Sequence, residues 1–402
     1  MKKVLGARRK RKKTAVRAKS KIRSQLVYYD FNLLAVIILL TCVGLIMLYS
    51  TSAYISEVKY GDDMFFFRKQ AIISAASILG AIFISRFPYR IVYHFSGLIY
   101  ILAAVCMILV QTPLGVTINE AKRWLKIGPF QFQPSEIAKI AIITFLPCLI
   151  LKMGKQVKTL KACILLFLVG GFLAALAYVC TENLSTGIII GGITFIIIFV
   201  SHPKTAPFIA MLGGMSAVVA AFVFFLASNL DTSSSFRIRR ILVWLHPEEY
   251  AGSGGYQIMQ ALYAIGSGGF WGKGLGNSVQ KLGSVPEAQN DMIFSIVCEE
   301  LGVFGGAVIL LLFGYLLYRL IFIAQNAPDL YGSLMVIGIF GHISLQVILN
   351  ICVVINLIPT TGITLPFVSY GGTSIIFLMA EMGLALSVSR QIRFQKQEPE
   401  EG

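Results

Sequence analysis

Asp291 closes the turn-rich run Gly283-Ser284-Val285-Pro286-Glu287-Ala288-Gln289-Asn290 and stands at the mouth of a long apolar stretch. A carboxylate placed there is partly desolvated yet within reach of a polar substrate. Desolvation raises its pKa toward the range useful to a general base, and a neighbouring Lys or Arg lowers it again. A helix cap is the bland alternative, the usual work of an Asp at a helix N-terminus, and spacing alone does not separate the two. A second group is Pro134-Ser135-Glu136-Ile137-Ala138-Lys139. Here Pro suits a first helical turn, and Glu136 and Lys139, at i and i+3, share one face. That pair could serve a substrate or simply neutralise itself inside a bundle. Glu299 and Glu300 are adjacent and so lie on different faces of one helix, which means that at least one needs a partner; Glu381 stands in a similar apolar setting. Cations are offered by Lys122-Arg123-Trp124-Leu125-Lys126 and by Arg237, Arg239, Arg240, Lys273 and Lys281.

Two further segments have unusual backbone chemistry. The stretch from Asn356 through Ser374 holds two prolines and three glycines. Irregular backbone near membrane depth survives only where protein or a cavity satisfies its polar groups, so this stretch is expected to line a pocket. Gly266-Ser267-Gly268-Gly269 and Gly272-Lys273-Gly274-Leu275-Gly276 loosely resemble nucleotide-binding glycine patterns but follow no strand, and they are discounted as such. The seven cysteines are scattered through apolar stretches and read as packing residues, and the four histidines show no ligand spacing, so no structural metal or disulfide framework is expected.

The elements that must position these residues are membrane helices. The 402-residue chain is 56% hydrophobic and 13% charged, a composition that a water-soluble domain of this size does not tolerate. About 20 mostly apolar residues cross a hydrocarbon core of about 30 Å. Such runs occur near 31–53, 66–86, 91–111, 134–153, 161–180, 185–201, 206–228, 292–320, 331–356 and 371–390. The fold class predicted is therefore all-α and polytopic, with about ten transmembrane helices over 31–391 and both termini on one side.

Twelve Lys/Arg residues lie in positions 2–23, and more follow the second, fourth and tenth runs (Arg86, Arg90, Lys152, Lys155, Lys158, Lys161, Arg390, Arg393, Lys396). The positive-inside bias makes that face cytoplasmic. Residues 1–30 then form a basic, disordered cytoplasmic tail, residues 392–402 a short cytoplasmic tail, and 54–65, 112–133, 181–184, 229–291 and 357–370 face outward. The large outer loop 229–291, between helices 7 and 8, is too long for a simple connector. Within it, Tyr256 to Gly266 is apolar enough to lie in the interface or dip into the protein. Nucleic acid is rejected as a partner: a basic run ahead of a membrane span suits anionic lipid or a protein. The tail also lacks the small-residue site of a cleavable signal peptide, and neither a short repeat nor a transporter-type inverted repeat is evident.

Several of these motifs in this order are identifiable. They are Arg123-Trp124-Leu125 with Phe132-Gln133-Pro134-Ser135-Glu136-Ile137-Ala138-Lys139, Gly254-Gly255-Tyr256-Gln257, Gly276-Asn277-Ser278-Val279-Gln280-Lys281-Leu282, Pro286-Glu287 leading to Asp291, Glu299-Glu300-Leu301-Gly302, and Leu365-Pro366-Phe367-Val368-Ser369-Tyr370-Gly371-Gly372. Across all ten runs the chain resembles the SEDS family of bacterial FtsW/RodA membrane glycosyltransferases. The resemblance implies polymerisation of lipid II into glycan strands outside the cytoplasmic membrane of a bacterium, beside a class B penicillin-binding protein that cross-links them. It places the family's catalytic carboxylate on Asp291. The residues expected to hold substrate are Arg123, Trp124, Gln133, Ser135, Glu136, Lys139, Lys281, Glu287, Ser369 and Tyr370. The forms Gly276–Leu282 and Thr364-Leu365-Pro366 resemble the division branch, which implies the septum and other division proteins as setting, with sporulation paralogues close by. Two positions depart from the pattern: Glu182-Asn183-Leu184-Ser185-Thr186 replaces a Pro-Asp-Leu-Gly-Thr form, and Gln131 stands where elongation members often carry Arg.

Physical chemistry agrees with that resemblance. Glycan polymerisation needs a base for a sugar hydroxyl, cations for a departing lipid diphosphate, and a greasy groove for the lipid. One base suffices for inversion at the anomeric carbon, without the second close carboxylate of a retaining glycosidase. No cofactor is demanded, and a divalent cation, Mg2+ or Mn2+, stays open. The rival readings are a lipid II flippase, with Glu136, Lys139, Glu299 and Glu300 as a polar path through the bilayer, and a non-catalytic scaffold, which needs no carboxylate at Asp291.

Overall fold

The computed structural model describes residues 26–118, 121–128, 130–229, 236–250, 252, 254–281 and 285–394. The tail expected over 1–30 therefore lies outside the described residues up to residue 25, as do Lys396 and the Leu282–Ser284 stretch. Twelve helices account for most of the described chain: α1 (Phe31–Tyr60), α2 (Phe65–Arg86), α3 (Arg90–Leu109), α4 (Pro134–Met153), α5 (Leu160–Thr181), α6 (Leu184–Ser201), α7 (Ala206–Asn229), α8 (Phe236–Leu245), α9 (Gly255–Gly268), α10 (Ile293–Gln325), α11 (Leu330–Val354) and α12 (Ser374–Arg390).

Eight of these, α1–α6, α10 and α11, are long and apolar enough to cross a membrane. Their outward faces carry large apolar side chains, such as Leu79, Ile101, Leu168 and Leu311, each more than 60% exposed, as lipid-facing positions require. The other two expected spans coincide with helices that fall short of that measure: the apolar part of α7 is Ala206–Ala221, and α12 has 17 residues.

Local sequence explains where the helices begin. Asp30 caps α1 by accepting from Leu33 N at 2.9 Å, Asn183 caps α6 through Thr186 N at 3.0 Å, and Asp329 caps α11 through Gly332 N at 2.8 Å. Pro134 occupies the first turn of α4, where its missing N–H costs nothing. The core is one apolar cluster drawn from nearly every helix, with α12 packed on α2, α3 on α4, α5 on α6, and α10 on α1 and α11.

Both ends of the described chain meet. Leu26–Val27 (β1) pairs antiparallel with Arg393–Phe394 (β5), Tyr28 N donates to Ile392 O at 3.3 Å, and Asp30 is clamped by Arg319 at 2.6 Å beneath them. Segments that flank the first and last helices thus lie side by side.

Two connections between helices, 112–133 and 229–291, are more ordered than an all-α reading expects. Gly115–Ile118 (β2), Ala121–Ile127 (β3) and Phe130–Phe132 (β4) form an antiparallel sheet, with Val116 opposite Trp124 and Leu125 opposite Phe132. The long loop folds into α8 and α9. Helix α9 contains the apolar Tyr256–Gly266 stretch and buries Ile258, Ala261 and Ala264 against α10.

Candidate active site

Asp291 sits in the turn just before α10 and is 8% exposed. Its side chain caps nothing: Oδ1 is buried without a hydrogen-bond partner, and Ser295 N turns to Met292 O instead. The cap alternative therefore fails on geometry. Burial, reinforced by the negative charge of Glu287, pushes the Asp291 carboxyl up to about 7, against the opposing pull of its own backbone N–H and then of Arg240. Such a group takes and gives up a proton near neutrality, as a general base must.

The turn that carries it is held from three sides. Glu287 adopts left-handed backbone (φ 55°), a conformation with a cost for any residue but glycine, and Asn290 closes the turn by donating from its N–H to Glu287 O at 2.9 Å and from its side-chain amide to the Glu287 carboxylate. Tyr370 N donates to Gln289 O at 2.9 Å, so the 357–373 connection is stitched onto the same turn. Asn350, from α11, donates to the carbonyl of Asp291 at 2.8 Å. Ser369 Oγ accepts from Leu365 N at 2.8 Å and shapes the loop that delivers Tyr370, whose ring meets Phe66 edge-on. That loop lies directly on α1 at Gly44, where a Cβ would come within 2.5 Å of Phe367 O.

Cations approach from the opposite side. Arg240, on α8, donates to Thr360 O at 3.1 Å and acts electrostatically on both Asp291 and Arg123. Arg123, on β3, donates to Glu182 O at 3.2 Å. Burial holds both guanidinium groups below their ordinary range, and at Arg123 the charge of Arg240 adds to that effect. Two crowded, desolvated cations beside a carboxylate form a cationic cluster suited to an anionic group. Trp124, next to Arg123 on β3, pairs with Val116 in the sheet. Trp244, one turn after Arg240, donates to Asn356 O at 3.0 Å and also lines an apolar cleft of about 610 Å³ with Met215, Val219 and Leu245.

The other expected site residues are sorted differently. Glu136 and Lys139 pair at 2.8 Å, both buried at the N-terminal end of α4, which packs on the helix that carries Asn350. Ser135 Oγ is buried there without a partner, and Gln133 contributes its carbonyl to Glu136 N at 3.0 Å. Lys281 stands apart from Asp291. Its ammonium donates to Glu300 Oε1 at 2.8 Å, Ser50 Oγ at 2.8 Å and Gly276 O at 2.7 Å, which uses all three of its protons. Glu300 lies nine residues beyond Asp291, roughly 13 Å further along α10 at about 1.5 Å per residue. Glu299 is likewise closed by Lys273 at 2.7 Å and by the Ser278 hydroxyl. Both glutamates therefore have lysine partners from the loop before α10, and Ser278, donating its hydroxyl to Glu299 and its N–H to Glu300, links the two pairs.

The glycine runs have a structural use. At Gly302 the backbone of α10 leaves the helix (φ 71°, ψ −176°), freeing the carbonyls of Glu299 and Glu300 to accept from Lys273 N and Gly274 N at 2.9 Å. Val303 N and Phe304 N return the bonds to Gly269 O and Phe270 O. Arg240 was legible only as one charge among many in a long loop, and Asn350 and Gln346 were missed. Their signal was available: two amides four residues apart in a mostly apolar span are as conspicuous as buried charges.

This combination, a polytopic helical membrane protein with a desolvated carboxylate and two arginines on the connections between its helices, defines a membrane enzyme. Residues 30–394 match the family model described as cell cycle protein, of FtsW, RodA and SpoVE, and the chain belongs to that family. It is 40% identical over 367 residues to stage V sporulation protein E of Bacillus subtilis, covering 91% of this chain and 98% of that one. It is 33% identical over 394 residues to the probable peptidoglycan glycosyltransferase FtsW of the same bacterium, covering 94% and 96%. Among solved structures it is similar to a chain from a peptidoglycan synthase complex that coordinates polymerization and crosslinking (25% identity, TM-score 0.74, 93% and 100% coverage). It is also similar to the rod shape determining protein RodA of Thermus thermophilus (25% identity, TM-score 0.61, 92% and 98% coverage).

Proposed function

We propose that the chain is a peptidoglycan glycosyltransferase that polymerises lipid II on the outer face of the cytoplasmic membrane, with Asp291 as its general base. The observation that carries this reading is the buried, unpaired Asp291 Oδ1, titrating near neutrality beside Arg240. Asp291 takes the proton from an acceptor sugar hydroxyl as that oxygen forms its bond to the anomeric carbon of the donor. The bond from that carbon to the diphosphate breaks, its electrons leave with the lipid diphosphate, and configuration inverts. Arg240 and Arg123 stabilise the departing negative charge, and their desolvation makes each contact stronger than it would be in water. The apolar cleft that shares α8 with Arg240 accommodates a polyprenyl chain.

Among the described residues no group of three or more His, Cys, Asp or Glu side chains is placed to hold a metal ion. The ten-crossing topology with cytoplasmic termini belongs to this proposal and is supported by the paired chain ends. So do the class B penicillin-binding partner and the septal setting, which share their chemistry with a sporulation role. Transport of lipid II is disfavoured by the closed Glu299–Lys273 and Glu300–Lys281 pairs. The test is polymerisation of labelled lipid II by the purified protein with its penicillin-binding partner. Asp291→Asn should lower turnover by about 10²–10⁴-fold or more while substrate still binds. Glycan synthesis at the normal rate by that variant would refute the assignment.

A further inference from the structure

Asn350 is fully buried in α11, and both hydrogens of its side-chain amide are committed: Nδ2 donates to the carbonyl of Asp291 and to the carbonyl of Ile363, each at 2.8 Å. The amide orientation follows from the partners, since two carbonyl oxygens can only accept. Asn350 thus joins three elements at one atom: its own helix, the turn before α10, and the irregular connection before α12. The Asp291 carbonyl depends on this bond, because Ser295 N, which a regular helix would aim at it, donates to Met292 O at 3.0 Å. One turn earlier, Gln346 makes a similar bond to Thr364 O at 3.0 Å, but it touches only the connection and not the turn.

We infer that Asn350 is a positioning residue for glycan transfer: by tying the backbone of Asp291 to that of Ile363, it aims the Asp291 carboxylate and keeps it desolvated. This rests on the reading of Asp291 as the base. The charged groups acting on that carboxylate are Glu287 on its own turn and Arg240 from α8, with Arg123 of β3 behind Arg240; the phenol of Tyr370 belongs to the connection stitched to Gln289. None of these bonds to Asn350, so removing its amide changes geometry and hydration at Asp291 without changing a charge. A loosened turn admits water, and water returns a carboxylate toward its ordinary, lower range. Misplacement of a reacting group by about 1 Å costs about 100-fold in rate.

The experiment compares wild type, Asn350→Leu and Gln346→Leu as purified complexes, each polymerising labelled lipid II across pH 5 to 9, with the Asp291 carboxyl titration followed independently by infrared difference spectroscopy against Asp291→Asn. Asn350→Leu should lower kcat about 10–100-fold with KM little changed, and should shift both the acid limb of the rate and the carboxyl band to lower pH. Gln346→Leu should leave both titrations in place. Unaltered titrations in Asn350→Leu, or equal shifts in the two variants, would overturn the proposal. If Asn350→Leu does not fold, Asn350→Ser, which keeps one donor, is expected to show a smaller shift in the same direction; failure of both to fold makes Asn350 a packing residue and ends the proposal. An active Asp291→Asn enzyme would instead end the base assignment, whatever position 350 does.

Discussion

Lys281 Nζ and Glu300 Oε1 are 2.8 Å apart, with the glutamate fully enclosed and the lysine nearly so. This relationship changes what Lys281 is expected to do: its charge answers a buried carboxylate and anchors the long loop before α10 to that helix and, through Ser50, to α1. Lys281→Met should destabilise the protein by about 3–5 kcal/mol, because an uncompensated buried charge remains. The double variant Lys281→Met/Glu300→Gln should recover much of that loss in thermal unfolding of the detergent-solubilised protein. A single variant with unchanged stability and impaired substrate binding would return Lys281 to the site.

Asp291 should govern activity and stability with opposite signs. The base must be ionised, so the rate should fall as pH drops through about 7. Glu287→Gln should move that limb to lower pH and Arg240→Met to higher pH, as removal of a negative and a positive neighbour requires. For stability, an Asp whose folded pKa is about 7 and unfolded pKa about 3.9 holds its proton longer in the folded state. It therefore costs nothing below about pH 4, costs progressively more as pH rises, and imposes its full penalty above about 7. Asp291→Asn should raise the unfolding temperature most at pH 8 and least at pH 4. A pH-independent difference would contradict the burial argument.

The Glu136–Lys139 pair separates packing from substrate service by a double substitution. Lys139→Met alone strands Glu136 and should lower both stability and polymerisation. Glu136→Gln/Lys139→Met removes both charges and should restore the unfolding temperature while polymerisation stays lost. Recovery of activity together with stability would make the pair purely structural.

Topology is checked by labelling. Single cysteines at the exposed positions 60 and 248 should react with an impermeant thiol reagent in intact cells if these segments face outward as proposed, and one at the exposed position 156 should react only after permeabilisation. Reaction at 156 from outside would overturn the ten-crossing arrangement.

Composition and periodicity alone determined that this chain lives in a membrane and where its apolar helices run, because hydrophobic thickness sets a length of chain that any sequence must meet. The family motifs singled out Asp291 and Glu287, adjacent on one turn, because residues close in sequence stay close in space. Partner choice was decided by the tertiary structure. Nothing in the order of residues says that Lys273 answers Glu299 and Lys281 answers Glu300, that Arg240 and not Lys281 reaches Asp291, or that an amide 59 residues away holds the carbonyl of the candidate base. Those facts depend on where the break at Gly302 lets the loop fold back on α10 and on which helices become neighbours, and hydrogen bonds and ion pairs of a few ångströms are settled only after that packing is complete.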